Sequence, residues 1–416
     1  MREFKEVAIG TQLKLTSGFP FPSSDFSNEG FPLIRIRDVL TSQTETYYKG
    51  LYSPGYIIKK GDILVGMDGE FHVAKWQGVE ALLNQRVLKV ELHNESLVVL
   101  DFLFHWLGPF IKKVNDITAA TTVKHLSTKD LTKAKAFLPE IEAQKKIAAI
   151  LTATDIAIEK TEVLIGKYQQ IKAGLMHDLF TRGVLPNGQL RPPREQAAEL
   201  YQETAIGWIP KEWDLKRCAD LCKRICVGIV IQPTQYYVEE GVPAFRSANV
   251  REDGIDPINF VYISTTSNQL LAKSQVKAGD IVSVRTGYPG TSAVIPPEFQ
   301  GANCIDILIS TPGEQVSSEY LCDWINSSFG KGQVLRQQGG MAQQHFNVGE
   351  MRELLVALPS LDEQMKIRSK INAVASKLAT DRVFLQKLRT QRLGLMQDLI
   401  TGKVPVKVDI PETADA

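Results

Sequence analysis

One stretch of this chain is written twice. Residues 138–184, beginning LPEIEAQKKI, return at residues 358–404, beginning LPSLDEQMKI, and the two align without a gap. Leu138-Pro139 is matched by Leu358-Pro359, Gln144 and Ile147 by Gln364 and Ile367, and Gly174-Leu175-Met176 by Gly394-Leu395-Met396. Neither copy has a proline after its start, and apolar residues recur at heptad spacing. In the first copy these are Ile147, Leu151, Ile158, Ile165, Leu175 and Leu179; in the second, Ile367, Ile371, Leu378, Leu385, Leu395 and Leu399. Polar residues interrupt the seam, among them Thr154, Lys172, Asp381 and Arg392. Ser360 and Glu363 form a capping pattern, and Gly183 and Gly402 stand where a helix would end. Roughly 40 helical residues span about 60 Å. That exceeds what one compact core needs, so the pattern predicts two long helices packed on each other.

The duplication extends beyond the helices. Gly18 is matched by Gly228, Arg35 by Arg246, Gly61-Asp62-Ile63 by Gly279-Asp280-Ile281 and Gly69 by Gly287. Asn84 pairs with Asn303, Trp106 with Trp324 and His125 with His345. Short β-type runs lie at Leu33 to Arg37, Asp62 to Val65, Val87 to Leu92, Asp280 to Val284 and Cys304 to Ile309, separated by glycine and proline. Asp101 to Leu107 and Ser318 to Asn326 read as short helices carrying the paired tryptophans as core residues. The fold class is therefore α+β: a mixed domain and a long helix, then both again, with the helices pairing as an antiparallel coiled coil. The expected boundaries are 1–137, first domain; 138–184, first helix; 185–205, a proline-rich linker; 206–357, second domain; 358–404, second helix; and 405–416, a tail.

Composition narrows the function. Net charge is +1, with no basic block, so any DNA affinity must come from local clustering or from a partner. No apolar run approaches a membrane span, and MREFKEVAIG is not a signal peptide. All five cysteines lie in the second half and none in the matching first half, which points to reduced thiols and a cytoplasmic setting rather than a disulfide framework. The chain has no phosphate-binding G-x-x-x-x-G-K-[ST] loop, no dinucleotide fingerprint and no paired-histidine metal spacing. It also lacks the Asn-Pro-Pro-Tyr type of tetrapeptide known from amino-methyltransferases. These absences argue against catalysis by the chain itself and leave no metal or cofactor to place in it.

The repeated LP-x-x-x-x-Q-x-K-I and GLM-x-DL-[FI]-T motifs, with the lead-in Lys124-His125-Leu126-Ser127 and the IGWIPKEW entry to the second half, resemble the specificity subunit of Type I restriction–modification systems. The resemblance covers nearly the whole chain. It implies two tandem target-recognition domains, each reading one half of a split double-stranded DNA sequence. It implies that the paired helices set the spacing and dock two methyltransferase subunits, with motor-nuclease subunits joining the full complex. S-adenosylmethionine would be held by the partner methyltransferase, not here. The second copy departs from the first at Gln344-His345-Phe346-Asn347.

Candidate DNA-contacting residues follow from chemistry and position. Arg35, Arg37 and Arg246 lie on or beside strands, and arginine suits guanine or phosphate. The glycine loop of the first half offers Asp68, Glu70 and His72, with Arg86 following Asn84-Gln85; that of the second offers Arg285, Thr286 and Tyr288. Asn249, Gln343 and Gln344 suit adenine, while Lys124, His125 and His345 suit phosphate or a structural role. A second reading is a coiled-coil protein–protein adaptor without sequence-specific DNA binding; a self-sufficient enzyme is a third.

Overall fold

The computed structural model describes residues 4–118, 124–337 and 345–407. The chain divides into two compact units, Met1–Thr161 with Leu385–Ala416, and Glu162–Phe384. Each long helix thus begins in one unit and ends in the other: Ile141–Arg182 and Leu361–Ile400.

In the first unit a four-stranded antiparallel sheet runs in the order Leu13–Ser17, Val87–Leu92, Ile63–Gly66, His72–Lys75. A second sheet pairs Phe31–Ile34 in parallel with Ala81–Leu83. The second unit repeats both. Its sheet order is Cys222–Val227, Ile307–Pro312, Ile281–Val284, Ser292–Val294, and Val242–Phe245 runs parallel to Asn303–Cys304. The domain's first and last strands close on each other in both units, Lys5–Val7 with Ala136–Leu138 and Asp214–Arg217 with Leu355–Leu358. Each globule therefore starts and finishes at the root of a long helix.

Local details depart from the sequence expectation. The run from Leu33 to Arg37 is not one strand: it stops at Ile34 and turns into a short 3-10 helix, Ile36–Asp38, whose Asp38 carboxylate accepts the Arg35 backbone N–H at 2.8 Å. Cys304 to Ile309 is likewise broken, at Asp306. The sheet register aligns Leu82, not Asn84, with Asn303, because Leu33 faces Leu82 as Ala244 faces Asn303. The 185–205 segment is ordered. Arg191 is buried there, and Tyr201–Thr204 pairs with Gly207–Pro210.

The motif glutamine has a physical job. Gln144 is buried, accepts the Val99 N–H at 2.9 Å and donates to the carbonyls of Leu97 and Pro139 at 2.9 Å each. Val99 is the residue before the helix Leu100–Ile117, so the amide satisfies an N–H at that helix's start. Gln364 does the same, accepting the Ser317 N–H at 2.9 Å and donating to Gln315 and Pro359 at 3.0 Å. Ser317 in turn caps Ser318–Asn326. Glu363 departs from the expected capping box. Ser360 does cap the Glu363 N–H at 3.3 Å, but the carboxylate turns away to accept from Val184 N at 2.7 Å, Arg191 Nη1 at 2.5 Å and Trp213 Nε1 at 3.1 Å.

The helices run antiparallel within each unit. In the first, Ile147 and Leu151 join Met396, Leu399 and Ile400 in one core with Phe102, Leu103 and Trp106, and Asp155 takes the Arg392 guanidinium. In the second, Leu179, Phe180, Ile367 and Ile371 pack with Tyr320 and Trp324. Leu175 and Leu395 are half-buried against these cores. Ile165 and Leu378 are buried, whereas Ile158 and Leu385 are half-buried. The seam thus enters the domain cores at the helix ends and turns polar between them, at buried Thr161 and buried Asp381, the latter paired with Lys377.

His105 is buried at the junction in the first unit, with Nε2 3.0 Å from Thr152 Oγ1 and Nδ1 3.8 Å from Asp155 Oδ2. Burial pushes it down to about 4, against the pull of Asp155. The folded value lies below the ordinary one, so the unfolded chain takes the proton first on acidification. Stability from neutral His105 is complete above about pH 6.5 and is lost as the pH falls toward 4. Denaturant titrations at pH 7 and pH 5 are expected to differ by on the order of 1–2 kcal/mol, with the difference reduced in His105→Gln; equal pH slopes for the two proteins would contradict the assignment. Gln364→Met leaves three backbone groups unpaired and is expected to lower stability by roughly 2–5 kcal/mol. A loss below about 0.5 kcal/mol, the size of an ordinary surface change, would contradict that role.

Candidate nucleic-acid interface

In both units a glycine loop follows the central strand and is clasped by the segment that leads to the long helix. Gly69 and Gly287 have φ of +72° and +89°, and a Cβ on either would meet no atom within 4 Å. Conformation, not space, selects glycine there. Leu126 N donates to Met67 O at 2.7 Å and Gly69 N to Lys124 O at 3.0 Å. In the second unit Phe346 N donates to Arg285 O at 2.9 Å. The two histidines sit in these clasps. His125 Nδ1 lies 2.6 Å from Asp68 Oδ1, and His345 Nδ1 lies 3.1 Å from Thr286 Oγ1. Both rings are exposed.

Around His125 the structure gathers several of the expected residues. Asp68 also holds Arg86, with Nη1 3.1 Å from Oδ2. His72 bridges the loop to the neighbouring 3-10 helix, Nδ1 3.0 Å from Glu70 O and Nε2 3.3 Å from Ile36 O. Arg35 and Arg37 are exposed on that same turn, with Arg37 Nε 3.5 Å from Asp38. His72 therefore ties Arg35, Arg37 and Glu70 into one surface with the Asp68 cluster. Lys124 is half-buried and donates to Asn115 O at 2.6 Å, so its ammonium is engaged by the helix Leu100–Ile117.

The second unit assembles its residues differently. Thr286 and Tyr288 are exposed on the loop, while Arg285 is half-buried, paired with Asp306 and donating to Phe346 O at 3.3 Å. Arg246 is half-buried and donates to Asn259 O at 2.8 Å. Asn249 is corrected as a base reader: it is fully buried, accepts the Arg246 N–H at 3.0 Å and donates to Asp256 O and Ile258 O. With both amide protons and the amide oxygen bonded to backbone groups inside the domain, it braces the loop rather than facing a ligand. Gln343 and Gln344 lie outside the described residues. Sequence reasoning missed Asp306. Its only signal is a charged residue inside an otherwise apolar run.

Among the described residues no group of three or more His, Cys, Asp or Glu side chains is placed to hold a metal. Four of the five cysteines are buried, and burial raises the thiols of Cys226, Cys304 and Cys322. Among the described residues no helix is long and apolar enough to cross a membrane. What remains is a set of exposed guanidinium, carboxylate, imidazole and hydroxyl groups on loops held by sheets, an arrangement suited to reading a polar surface.

Three comparisons bear on this surface. Residues 1–166 match the family model described as the Type I restriction modification DNA specificity domain. The chain is 28% identical over 377 residues to the Type I restriction enzyme EcoBI specificity subunit of Escherichia coli, covering 87% of this chain and 77% of that one. It is 23% identical over 426 residues to the MjaVIII specificity subunit of Methanocaldococcus jannaschii, covering 97% and 90%. Among solved structures it is similar to the Type I restriction–modification S subunit from M. genitalium, at a TM-score of 0.60 and 14% identity over 95% of this chain and 96% of that one.

The two glycine classes of the repeat are distinguishable by stability. A Cβ on Gly18 would meet Asn84 O at 1.9 Å, backbone against backbone, whereas Gly69 has open space. Gly69→Ala is expected to cost about 1 kcal/mol, from its positive φ alone. Gly18→Ala is expected to cost several times more, read by urea denaturation; equal losses would refute the close approach as the reason for Gly18.

Proposed function

We propose that the chain is a specificity subunit of the Type I restriction–modification kind, a non-catalytic DNA-recognition component, and that it reads a split DNA target, one half through each unit. It acts in complex with DNA and with the other restriction–modification subunits. Our reading adds that two methyltransferase subunits dock on the helical spacer and carry S-adenosylmethionine, that motor-nuclease subunits join the full assembly, and that this takes place in the cytoplasm.

The observation that carries the reading is the pair of glycine-loop clasps, built by the same strands in both units but furnished with different side chains. A shared scaffold with dissimilar tips supports two readers of two unrelated half-sites. The helices support docking. Val163, Leu164, Ile171, Val383 and Phe384 all expose more than a third of their surface in the second unit, from 39% at Leu164 to 72% at Val383. Apolar side chains left outside while the seam residues point inward favour a protein partner on the outer face.

Methylation mapping tests this in a cell carrying the chain with its methyltransferase subunit. The expected motif is split into two half-sites. Exchanging residues 1–137 for the matching segment of another member changes one half-site and leaves the other. A continuous motif, or a change in both halves, contradicts the assignment. The adaptor reading gains instead if the purified complex shows no sequence-selective shift of DNA.

A further inference from the structure

Corresponding backbone turns carry opposite charge in the two units. Gly18 N donates to Val87 O, and Gly228 N to Ile307 O, each at 2.9 Å. Gln85 N donates to Phe19 O at 2.9 Å, and Asp306 N to Ile229 O at 3.0 Å. These bonds set Arg86 and Asp306 in corresponding turns, each directly before the strand that follows, with the first unit's turn longer by one residue. Both residues have left-handed backbones, with φ of +71° and +46°. Glycine or asparagine is easier there. Arginine in the first unit therefore keeps its charged side chain at a conformational cost, while aspartate in the second is among the residues that tolerate such a turn.

Each turn residue pairs with a partner from its own glycine loop, and the order inverts between units. In the first, the Arg86 side chain is 63% exposed and rests on Asp68, 15% exposed. In the second, the Asp306 side chain is 48% exposed and rests on Arg285, 18% exposed. The outer group is therefore a cation in one unit and an anion in the other. A phosphate contact suits Arg86 but not Asp306, which would repel it. A role available to both signs is contact with base edges, where a guanidinium donates to guanine N7 and O6 and a carboxylate accepts from the cytosine amino group. Asp68 engages one edge of the Arg86 fork and leaves other donors free.

We infer that Arg86 and Asp306 determine base preference at one position in each half-site, guanine for Arg86 and cytosine for Asp306, with Asp68 and Arg285 as positioning residues. This rests on the recognition reading above. The test uses the full chain with its methyltransferase subunits, with assembly checked by size exclusion and motifs read by methylation mapping. Arg86→Gln is expected to lose discrimination for guanine, roughly 10-fold or more, at one position of one half-site. Arg86→Lys retains part of that preference. Asp306→Asn relaxes one position in the other half-site only. An unchanged motif overturns the assignment. So does a uniform fall in methylation across all sites, which is what a phosphate or structural role produces. If the unaltered complex marks no split sequence, the recognition reading itself fails and takes this assignment with it.

Discussion

The buried amide of Gln144, and its copy Gln364, holds each globule to its helix. One side chain at the start of a long helix accepts the N–H at the start of a shorter helix and donates to two carbonyls, one beside that short helix and one at the helix's own proline. Nothing apolar of that size could satisfy all three groups, and water is excluded at 1% and 0% exposure. The orientation of the long helix against the sheet domain is therefore set by directional bonds, while apolar packing supplies most of the binding energy.

That lock explains why two motifs recur rather than one. The LP-x-x-x-x-Q motif roots the start of a helix in its own domain. The GLM-x-DL motif ends the other helix in the same core: Met396 and Leu399 beside Ile147 and Leu151 in the first unit, Met176 and Leu179 beside Ile367 and Ile371 in the second. Each core is thus completed by residues distant in sequence, and neither half of the duplication builds its core alone.

Much of this was legible in the sequence because repetition supplies a second sample of the same structure. The helix spans, the strand Val87–Leu92, the buried tryptophans Trp106 and Trp324 and the shared position of His125 and His345 all follow from aligning the chain with itself. What stayed illegible depends on single long-range bonds. Glu363 matches a capping pattern, yet its carboxylate is claimed by Arg191 and Trp213, which no local rule links to it. Asn249 has the amide a base reader needs, but three backbone groups within ten residues consume it. Asp306 hides in an apolar run because a left-handed turn leaves no mark when the residue is not glycine.

The near-neutral charge follows from the same economy of bonds. Arg86 is matched by Asp68, Arg285 by Asp306 and Arg392 by Asp155, while Lys124 and Arg246 donate to carbonyls. Cations held this way attract a polyanion weakly, since each carries its own counter-charge or a fixed acceptor. Salt-dependent phosphate grip scales with the number of free cations that displace condensed counterions. On the reading proposed here, discrimination resides in this chain while much of the general hold on the duplex comes from its partners. A subunit with two different readers gains from that division: a strong grip of its own would hold the chain on DNA wherever either half-site, or neither, was present.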